Sequence, residues 1–177
     1  MDFSTLVEER RSIRVYQPGN KLSSSTLDEI LKTVLQAPSW KNSQTGRYYI
    51  AVEEDSKAKI RSALPRFNQN STENVLAYVI TAFEKGRAGF TEGKADNELG
   101  DKWGAYDLGL QNAYLILKAK ELGLDSLIMG LRDSAALREY FAIPDSQEVG
   151  PVIALGYRKG EAVLRRRKSA EEISKVY

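Results

Sequence analysis

Two runs of basic residues near opposite ends of this 177-residue chain have the composition of an anion site. The first is Arg-Arg-Ser-Ile-Arg at residues 10–14, and the second is Arg-Arg-Arg-Lys at residues 165–168. Guanidinium groups and a hydroxyl donor suit a phosphate monoester, because each guanidinium can give two parallel hydrogen bonds to its oxygens. Either run alone is also explained as a solvated stretch of charge. A phosphate site is therefore a hypothesis that needs support from the rest of the sequence.

The residue types that are missing narrow the chemistry further. The chain has no cysteine and no histidine. Disulfides, thiolate nucleophiles, Cys-ligated metal sites and His-dependent catalytic triads are therefore excluded. No side chain is assigned as an essential acid or base, and no metal site is predicted. If the protein is an enzyme, we expect a bound cofactor to carry the reactive chemistry.

The overall composition indicates a folded domain without a strong charge bias. Hydrophobic residues make up 42% of the chain, charged residues 28%, and the formal net charge is +2. A net charge this small argues against a nucleic-acid-binding domain. The first residues lack a signal-peptide pattern, and no apolar run approaches the roughly 20 residues that span a bilayer. We therefore expect a cytoplasmic protein that binds neither nucleic acid nor membrane.

Helical spacing of apolar residues predicts the elements that must position the basic runs. Asp2 is expected to cap a short first helix. A second helix is predicted from a capping box of Ser25 and Asp28 to its end at Pro38. Three further helices are predicted over residues 55–64, 103–122 and 133–141. The longest of these is apolar on nearly every face, which is typical of a helix buried in the core or against a partner subunit.

Aromatic and β-branched runs predict the strands. Four strands are predicted over residues 48–52, 75–83, 127–129 and 152–157. Residues 84–100 hold four glycines and many charges without clear periodicity, which is typical of a mobile excursion near an active site. The length predicts one domain over residues 1–177, and helices and strands without regular alternation predict an α+β fold.

The first basic run is the beginning of a resemblance to a known family. An N-terminal helix that ends in Arg-Arg-Ser-x-Arg and is followed by an aromatic residue, here Tyr16, resembles the opening signature of the flavin-dependent nitroreductases. In that family this segment holds the FMN phosphate and the edge of the flavin. The resemblance implies that Arg10, Arg11, Ser12 and Arg14 bind the cofactor.

A second segment resembles another motif of the same family. Residues 37–44 read Ala-Pro-Ser-Trp-Lys-Asn-Ser-Gln, beside the family's Ala-Pro-Ser-x-x-Asn-x-Gln-Pro-Trp. Thr-Gly at residues 45–46 replaces the usual Pro-Trp, which puts the local strand entry in doubt more than the flavin contact. The family's residues approach the flavin from the partner subunit, which implies that role for Pro38, Ser39 and Asn42. Taken alone, Asn42 would be an ordinary turn residue.

The middle of the chain supplies the residues expected around the flavin ring. Asn68 or Asn70 stands where the family places an asparagine near the ring, and Asn70 is equally a candidate helix cap. Leu-Gly-Leu-Asp at residues 122–125, together with Met129 and Gly130, resembles the family's flavin-lining Leu-Gly-Leu-Gly-x-x-x-x-Gly region. Methionine is commonly plain core, whereas glycine allows the backbone to approach a ligand closely.

The end of the chain closes the resemblance. Val-Ile-Ala-Leu-Gly-Tyr at residues 152–157 resembles the family's terminal strand, after which basic residues return to the phosphate. That match implies cofactor binding by Arg165 and Arg167. The order and spacing of these segments cover nearly the whole chain.

The resemblance implies a fold, a cofactor and an activity together. The fold would be a central, mostly antiparallel sheet flanked by helices, in an intertwined homodimer with FMN sites at the subunit interface. The activity would be a ping-pong reaction in which flavin N5 takes hydride from NAD(P)H and a nitroaromatic, quinone or related small acceptor is then reduced. The alternatives are a flavin-binding storage or sensing protein with little turnover, a relative specialised for one metabolite, and a module whose basic tail binds nucleic acid or an acidic partner.

Overall fold

The computed structural model describes residues 1–177 and consists of a five-stranded antiparallel sheet with helices on both faces. The helices are α1 (Phe3–Glu9), α2 (Ser24–Val34), α3 (Glu54–Ser62), α4 (Arg66–Ser71), α5 (Lys102–Glu121), α6 (Ser134–Phe141) and α7 (Ala170–Ile173). The strands are β1 (Tyr16–Gln17), β2 (Gly46–Ala51), β3 (Ala77–Glu84), β4 (Phe90–Thr91), β5 (Lys94–Ala95), β6 (Asp125–Met129) and β7 (Gln147–Arg158). The sheet order is β1-β7-β3-β2, with β6 also paired to β7 and β4-β5 forming a separate hairpin. The predicted α+β class and antiparallel sheet are confirmed.

The core has two layers because the sheet is covered on both faces. Successive residues of a strand point to opposite faces. In β3, Ala77 and Val79 therefore pack in the layer with α2 and α5, whereas Tyr78 and Ile80 pack in the layer with α3 and α6. A strand covered on both faces has no polar alternation, which explains why β3 is recognisable in the sequence as a continuous apolar run.

The helix ends follow local capping chemistry, with one correction. The Asp2 carboxylate accepts a hydrogen bond from the Thr5 N–H at 3.1 Å, which confirms the predicted first cap. The prediction that Ser25 begins the capping box of α2 is wrong. Ser23 has the extended backbone of an N-cap, and its hydroxyl accepts from the Thr26 N–H at 3.1 Å. Ser25 already lies inside the helix, where its backbone cannot serve as a cap.

The last sheet strand, β7, is longer than the predicted 152–157 and continues through a Gly-Pro pair at residues 150–151. Thr81 interrupts the regular pairing of β3 with β7, and its hydroxyl donates to the carbonyl of Pro151 at 2.8 Å. A Cβ on Gly150 would lie 2.7 Å from the Leu108 side chain, so glycine is needed for this close approach. The Gly-Pro pair therefore lies in a β-bulge.

Helix α5 spans 20 residues and lies along the sheet, as predicted for residues 103–122. Within one chain it is not buried on every side, since Tyr106 and Tyr114 are exposed. The segment before it contains the β4-β5 hairpin, which the sequence did not predict. None of the helices combines the length and the apolar character needed to cross a membrane.

Candidate functional site

The two basic runs meet at one cavity of about 290 Å³, which we call the arginine cavity. Its walls come from the segment after α1, from the end of β7 and from the C-terminal tail. Seven basic residues and one acidic residue line it: Arg10, Arg11, Arg14, Arg158, Lys159, Arg165, Arg167 and Glu161. Ser12 also lines it. The structure thus brings together six of the residues expected at the phosphate, from segments about 150 positions apart in the sequence.

Backbone pairing holds two of these segments, the one after α1 and the end of β7, against the sheet. The Ile13 N–H donates to the carbonyl of Ser126 in β6 at 3.0 Å, and Ser12 forms a parallel bridge with Ser126. On the other side, β1 pairs with the end of β7, where Tyr16 lies opposite Arg158. The 10–14 segment is therefore fixed between two strands, and its arginine side chains start from an ordered backbone.

The electrostatics of the arginine cavity suit a multiply charged anion. Among the lining arginines, only Arg158 forms an ion pair, with Asp125. The pKa of Arg10 is lowered by its burial and then by the nearby charges of Arg11 and Arg167. Crowded guanidinium groups repel one another, and a phosphate dianion would offset that repulsion while accepting several charge-assisted hydrogen bonds.

Arg158 and Lys159 are lining residues that the sequence reasoning missed. They follow the apolar part of β7 directly and lie outside both basic runs. Their signal in the sequence was the change from apolar to basic at the end of a strand that already led toward the phosphate-binding tail. The pairing of β1 with β7 places them at the cavity.

Strand β6 leads from the arginine cavity to the residues expected at the flavin ring. At about 3.3 Å per residue, four steps from Ser126 place Gly130 roughly 13 Å farther along. Met129 is buried in the core, whereas Gly130 is exposed. Beside Gly130 a cleft of about 390 Å³ separates residues 62–65 from residues 131–133. The structure therefore aligns the arginine cavity and a second cleft along one strand.

The two candidate asparagines differ in their surroundings within α4. Asn68 is only 8% exposed, and its side-chain amide has no hydrogen-bond partner within the chain. Asn70 is exposed, and it caps no helix, because α4 already contains it. The α4 helix begins directly after Pro65, which lines the cleft beside Gly130.

The residues 39–44, here called the 39–44 loop, have an unusual backbone. Lys41, Asn42 and Gln44 all have left-handed φ values, of 46°, 55° and 49°. Such values cost non-glycine residues energy, and asparagine tolerates them best. The Ser39 hydroxyl accepts from the Gln44 N–H at 3.0 Å and closes the loop. Pro38 and Asn42 are exposed at its surface.

Helix α5 and the β4-β5 hairpin hold the 39–44 loop from outside. The Trp40 N–H donates to the buried carboxylate of Asp107 at 2.8 Å. The rings of Trp40 and Trp103 lie 4.6 Å apart, and Lys41 pairs with Asp96 at 3.1 Å. Burial raises the pKa of Asp107, and the hydrogen bond from Trp40 acts in the opposite direction. An excursion of the chain and a buried carboxylate thus determine the shape of this loop.

A single chain keeps the 39–44 loop apart from the arginine cavity. The loop contacts α5 at Asp107, whereas α1, which leads into the cavity, contacts α5 through the Glu9–Lys120 ion pair. Thirteen residues of helix separate these contacts, which is roughly 20 Å. Pro38, Ser39 and Asn42 are therefore not brought together with Arg10 and Arg14 in one chain.

An exposed apolar groove of about 600 Å³ lies beside α5. One face of α5 supplies small and apolar residues to it, and β6 and β7 supply the other wall. The lining residues include Ala105, Gly109, Ala113, Ile116, Ile128 and Val149. An exposed groove lined by apolar side chains can serve as a surface for protein interaction.

Comparisons with known proteins agree with this arrangement. The model of the family described as the Nitroreductase family matches residues 7–157. A protein of Archaeoglobus fulgidus, named as a candidate NADH dehydrogenase/NAD(P)H nitroreductase, is 29% identical over 160 residues, which is 88% of this chain and 85% of that protein. Protein DrgA of Synechocystis is 24% identical over 96% of this chain and 90% of its own length.

Solved structures share the whole fold. A protein from Exiguobacterium sibiricum, determined in complex with FMN, superposes with a TM-score of 0.83 at 23% identity and covers 100% of this chain and 98% of its own. A nitroreductase family protein from Streptococcus pneumoniae has a TM-score of 0.84 at 17% identity over 99% of this chain and 100% of its own. At these identities the likeness is one of fold.

Proposed function

Because this chain belongs to the nitroreductase family, we propose that it is an FMN-dependent oxidoreductase that takes hydride from NAD(P)H and reduces a small acceptor such as a nitroaromatic compound or a quinone. The arginine cavity is the observation that carries this proposal. The family match ends at residue 157, so the convergence of Arg165 and Arg167 on the cavity is independent of it.

The donors of the arginine cavity fit the phosphate of FMN. Arg10, Arg14, Arg165 and Arg167 would bind its oxygens, with Ser12 as a neutral donor. Arg11 is held back by a hydrogen bond from its guanidinium to the carbonyl of Arg10 at 2.7 Å, which leaves it fewer free donors. The excess of positive charge in the cavity favours the doubly charged phosphate over neutral ligands.

The ring of the cofactor would lie beyond the cavity, along β6. Gly130 offers an exposed backbone there, and Asn68 offers an amide that no protein group engages. Of the two asparagines, we assign the ring contact to Asn68, because its side chain lies mostly inside the protein on the helix that follows Pro65 of the cleft, and its amide keeps free donors and an acceptor for a ligand. Met129 would support the site from the core without direct contact.

FMN, when bound, supplies a ring that accepts hydride at N5 and passes electrons on, so the chain needs no histidine or cysteine for the redox step. The role of the protein is to hold and orient. Donor and acceptor would use the same exposed face in turn, which makes the reaction ping-pong. The 39–44 loop and the β4-β5 hairpin would shape that face together with the start of α5, where Tyr106 is exposed beside Trp103.

We infer a homodimer with two FMN sites at the subunit interface. A second copy would cover the apolar groove beside α5 and would bring its own 39–44 loop to the cleft at Gly130. The roughly 20 Å of helix between the two contacts on α5 supports this arrangement, because it keeps the loop and the cavity of one chain apart. The C-terminal tail supports it as well, since its apolar residues Val163, Leu164 and Ile173 are exposed and available to a partner.

The visible spectrum of the purified protein tests the proposed activity. We expect flavin bands at roughly 370 and 450 nm that bleach when NADH or NADPH is added and return with an acceptor. A yellow protein that does not oxidise either nucleotide would instead be a storage or sensing protein. A colourless protein that cannot be loaded with FMN would contradict the proposal.

Light scattering of an Ala113→Arg variant tests the dimer. Ala113 lines the apolar groove, where an arginine would meet the partner, and we expect a shift from dimer to monomer together with loss of FMN. Ala135→Arg, at an exposed alanine of α6 outside the groove, is the matched control and should stay dimeric. A wild-type monomer with flavin bound would contradict the interface site.

A further inference from the structure

In one ion pair of the molecule both side chains are buried. Lys120 Nζ lies 3.4 Å from Asp125 Oδ1, and the two side chains are only 8% and 5% exposed. Every other ion pair has at least one partner that is much more exposed. Burying two charges is costly, and well-packed apolar residues are often as stable in their place. Stability alone therefore does not account for this pair.

Asp125 lies where the two walls of the arginine cavity meet. It is the first residue of β6 and lies opposite Gly156 of β7. Its neighbour Ser126 accepts the hydrogen bond from Ile13 that fixes the 10–14 segment. The second carboxylate oxygen, Oδ2, lies 3.8 Å from Nε of Arg158, which lines the cavity. One carboxylate thus faces Lys120 in the interior and Arg158 at the cavity wall.

Asp125 lies on the Nε side of the Arg158 guanidinium at 3.8 Å, which is an electrostatic contact and not a hydrogen bond. A guanidinium has five N–H donors in a rigid plane, so the two terminal nitrogens of Arg158 are available to another group. A lone carboxylate so close to the cavity would oppose the binding of an anion. The positive charge of Lys120 behind it offsets that negative charge. Lys120 also forms an ion pair with Glu9, at 3.7 Å.

We propose that Arg158 is a further ligand of the cofactor phosphate and that the buried Lys120–Asp125 pair is the positioning device that orients it. The inference rests on the proposed function, since it assumes that the arginine cavity holds the phosphate of FMN. It adds Arg158, which lies outside the two basic runs, to the ligands of the phosphate. It also adds Lys120 and Asp125, which do not touch the cofactor themselves.

The test compares FMN with riboflavin, which has the same ring but no phosphate. Dissociation constants for both would be measured by quenching of flavin fluorescence, using the full-length chain freed of flavin. In Arg158→Met we expect FMN binding to weaken about tenfold and riboflavin binding to change less than about twofold, because only a charge-assisted bond to phosphate is lost. The double variant Lys120→Met/Asp125→Val should show the same selective loss, since apolar residues replace the pair without an orphaned charge.

Combining the changes shows whether the pair acts through Arg158. Adding Arg158→Met to the double variant should cost little more, because residues that act as one unit are not additive. Asp125→Asn, which keeps the side-chain shape, is the second variant should the double variant fail to fold, and it should also lose FMN selectively. Lys118→Met, two residues away on the same helix in an exposed ion pair, should leave the FMN-to-riboflavin ratio unchanged.

Two results would overturn the inference while leaving the proposed function intact. One is an equal loss of FMN and riboflavin affinity, which would make the pair a support of the fold only. The other is a loss of FMN affinity on Arg158→Met that is equally large in the wild type and in the double variant. That result would show that the Lys120–Asp125 pair does not act through Arg158. A wild-type protein that binds FMN no better than riboflavin would overturn the proposed phosphate site itself, and this inference with it.

Discussion

The arginine cavity and the 39–44 loop are built in opposite ways. Backbone pairing holds two walls of the cavity, none of its lining residues is left-handed, and it concentrates positive charge. The loop has three left-handed residues, and hydrogen bonds and aromatic contacts hold its shape. One region accumulates electrostatic repulsion and the other accumulates backbone strain.

Charge repulsion in the cavity and backbone strain in the loop are relieved in different ways. An anion relieves repulsion among guanidinium groups, so the cavity is suited to binding a charged ligand tightly. No ligand charge relieves backbone strain, which persists only because the surroundings impose the conformation. Variants that change the charge of the cavity should therefore change cofactor affinity, whereas variants that change only the backbone conformation of the loop should change stability and the handling of the second substrate.

Reversing one charge in the cavity should have the largest effect. Arg167 lines the cavity and lies close enough to Arg10 to lower its pKa. Arg167→Glu should weaken FMN binding by about a hundredfold, because it removes a charge-assisted contact and adds a repulsive charge. Arg166→Glu is the matched control, since Arg166 is exposed and does not line the cavity. Flavin titrations in which the two variants lose equal affinity would mean that only the net charge of the tail matters.

Heterodimers that combine a cavity variant with a loop variant should show the next largest effect, on FMN content. We expect FMN to be lost in homodimers of Arg167→Glu and, because a bulky side chain would enter the flavin contact, in homodimers of Asn42→Arg. In a heterodimer of the two, purified through two different tags, one site combines an unmodified cavity with an unmodified loop, so about half of the normal FMN content should return. A heterodimer without flavin would place both regions on the same subunit's site.

The sequence predicted the cavity better than the loop, for a physical reason. Arginines gathered in two runs keep their charge in any fold, so their composition already indicated an anion site. The hydrogen bond from Trp40 to Asp107 joins residues 67 positions apart, and an aspartate inside an apolar helix gives no sign of its partner. The strained conformation of Lys41 is also absent from the sequence, because lysine has no preference for it.

The same distinction holds for the fold. Helix α2 and strand β3 were predictable because apolar spacing reports which face is buried. The two-residue strand β1 was not, since only its partner β7 defines it, and residue pairing across the sheet is a tertiary property. Arg158 was missed for the same reason, because β1 and β7 together bring it to the cavity.

Removing the buried acceptor of the loop should have a moderate effect on stability. Asp107→Leu leaves the Trp40 N–H without a partner, whereas Asp107→Asn keeps an acceptor oxygen. We expect the leucine variant to have a free energy of unfolding lower than that of the asparagine variant by about 1–3 kcal/mol. Denaturant unfolding of both would measure it. Equal stabilities would show that the hydrogen bond does not hold the loop.

The pH dependence of these variants checks the same carboxylate. Burial raises the pKa of Asp107 above its ordinary value of 3.8 in the folded state, so the folded protein binds the proton more tightly than the unfolded chain. Ionisation therefore lowers stability as pH rises from 3.8 through the folded pKa. Asparagine does not ionise, so the stability of Asp107→Asn relative to wild type should increase over that window and then level off. A constant difference from acid to neutral pH would contradict the raised pKa.

Relieving strain in the loop should have the smallest effect. The informative result is whether the free energy of unfolding rises or falls. Gln44 has a φ of 49°, which glycine adopts without steric cost. Gln44→Gly should therefore raise the free energy of unfolding by up to about 1 kcal/mol. The matched control is Gln36→Gly, at an exposed glutamine outside the left-handed region, which should lower it by roughly 0.5–1 kcal/mol. Because the charged contacts to the phosphate lie in the cavity and neither glycine adds bulk at the flavin, FMN affinity should change little in both variants, while a looser loop should slow acceptor reduction in Gln44→Gly only. Equal destabilisation by the two glycines would mean that the loop stores no strain, and the contrast between a charged region and a strained one would then fail.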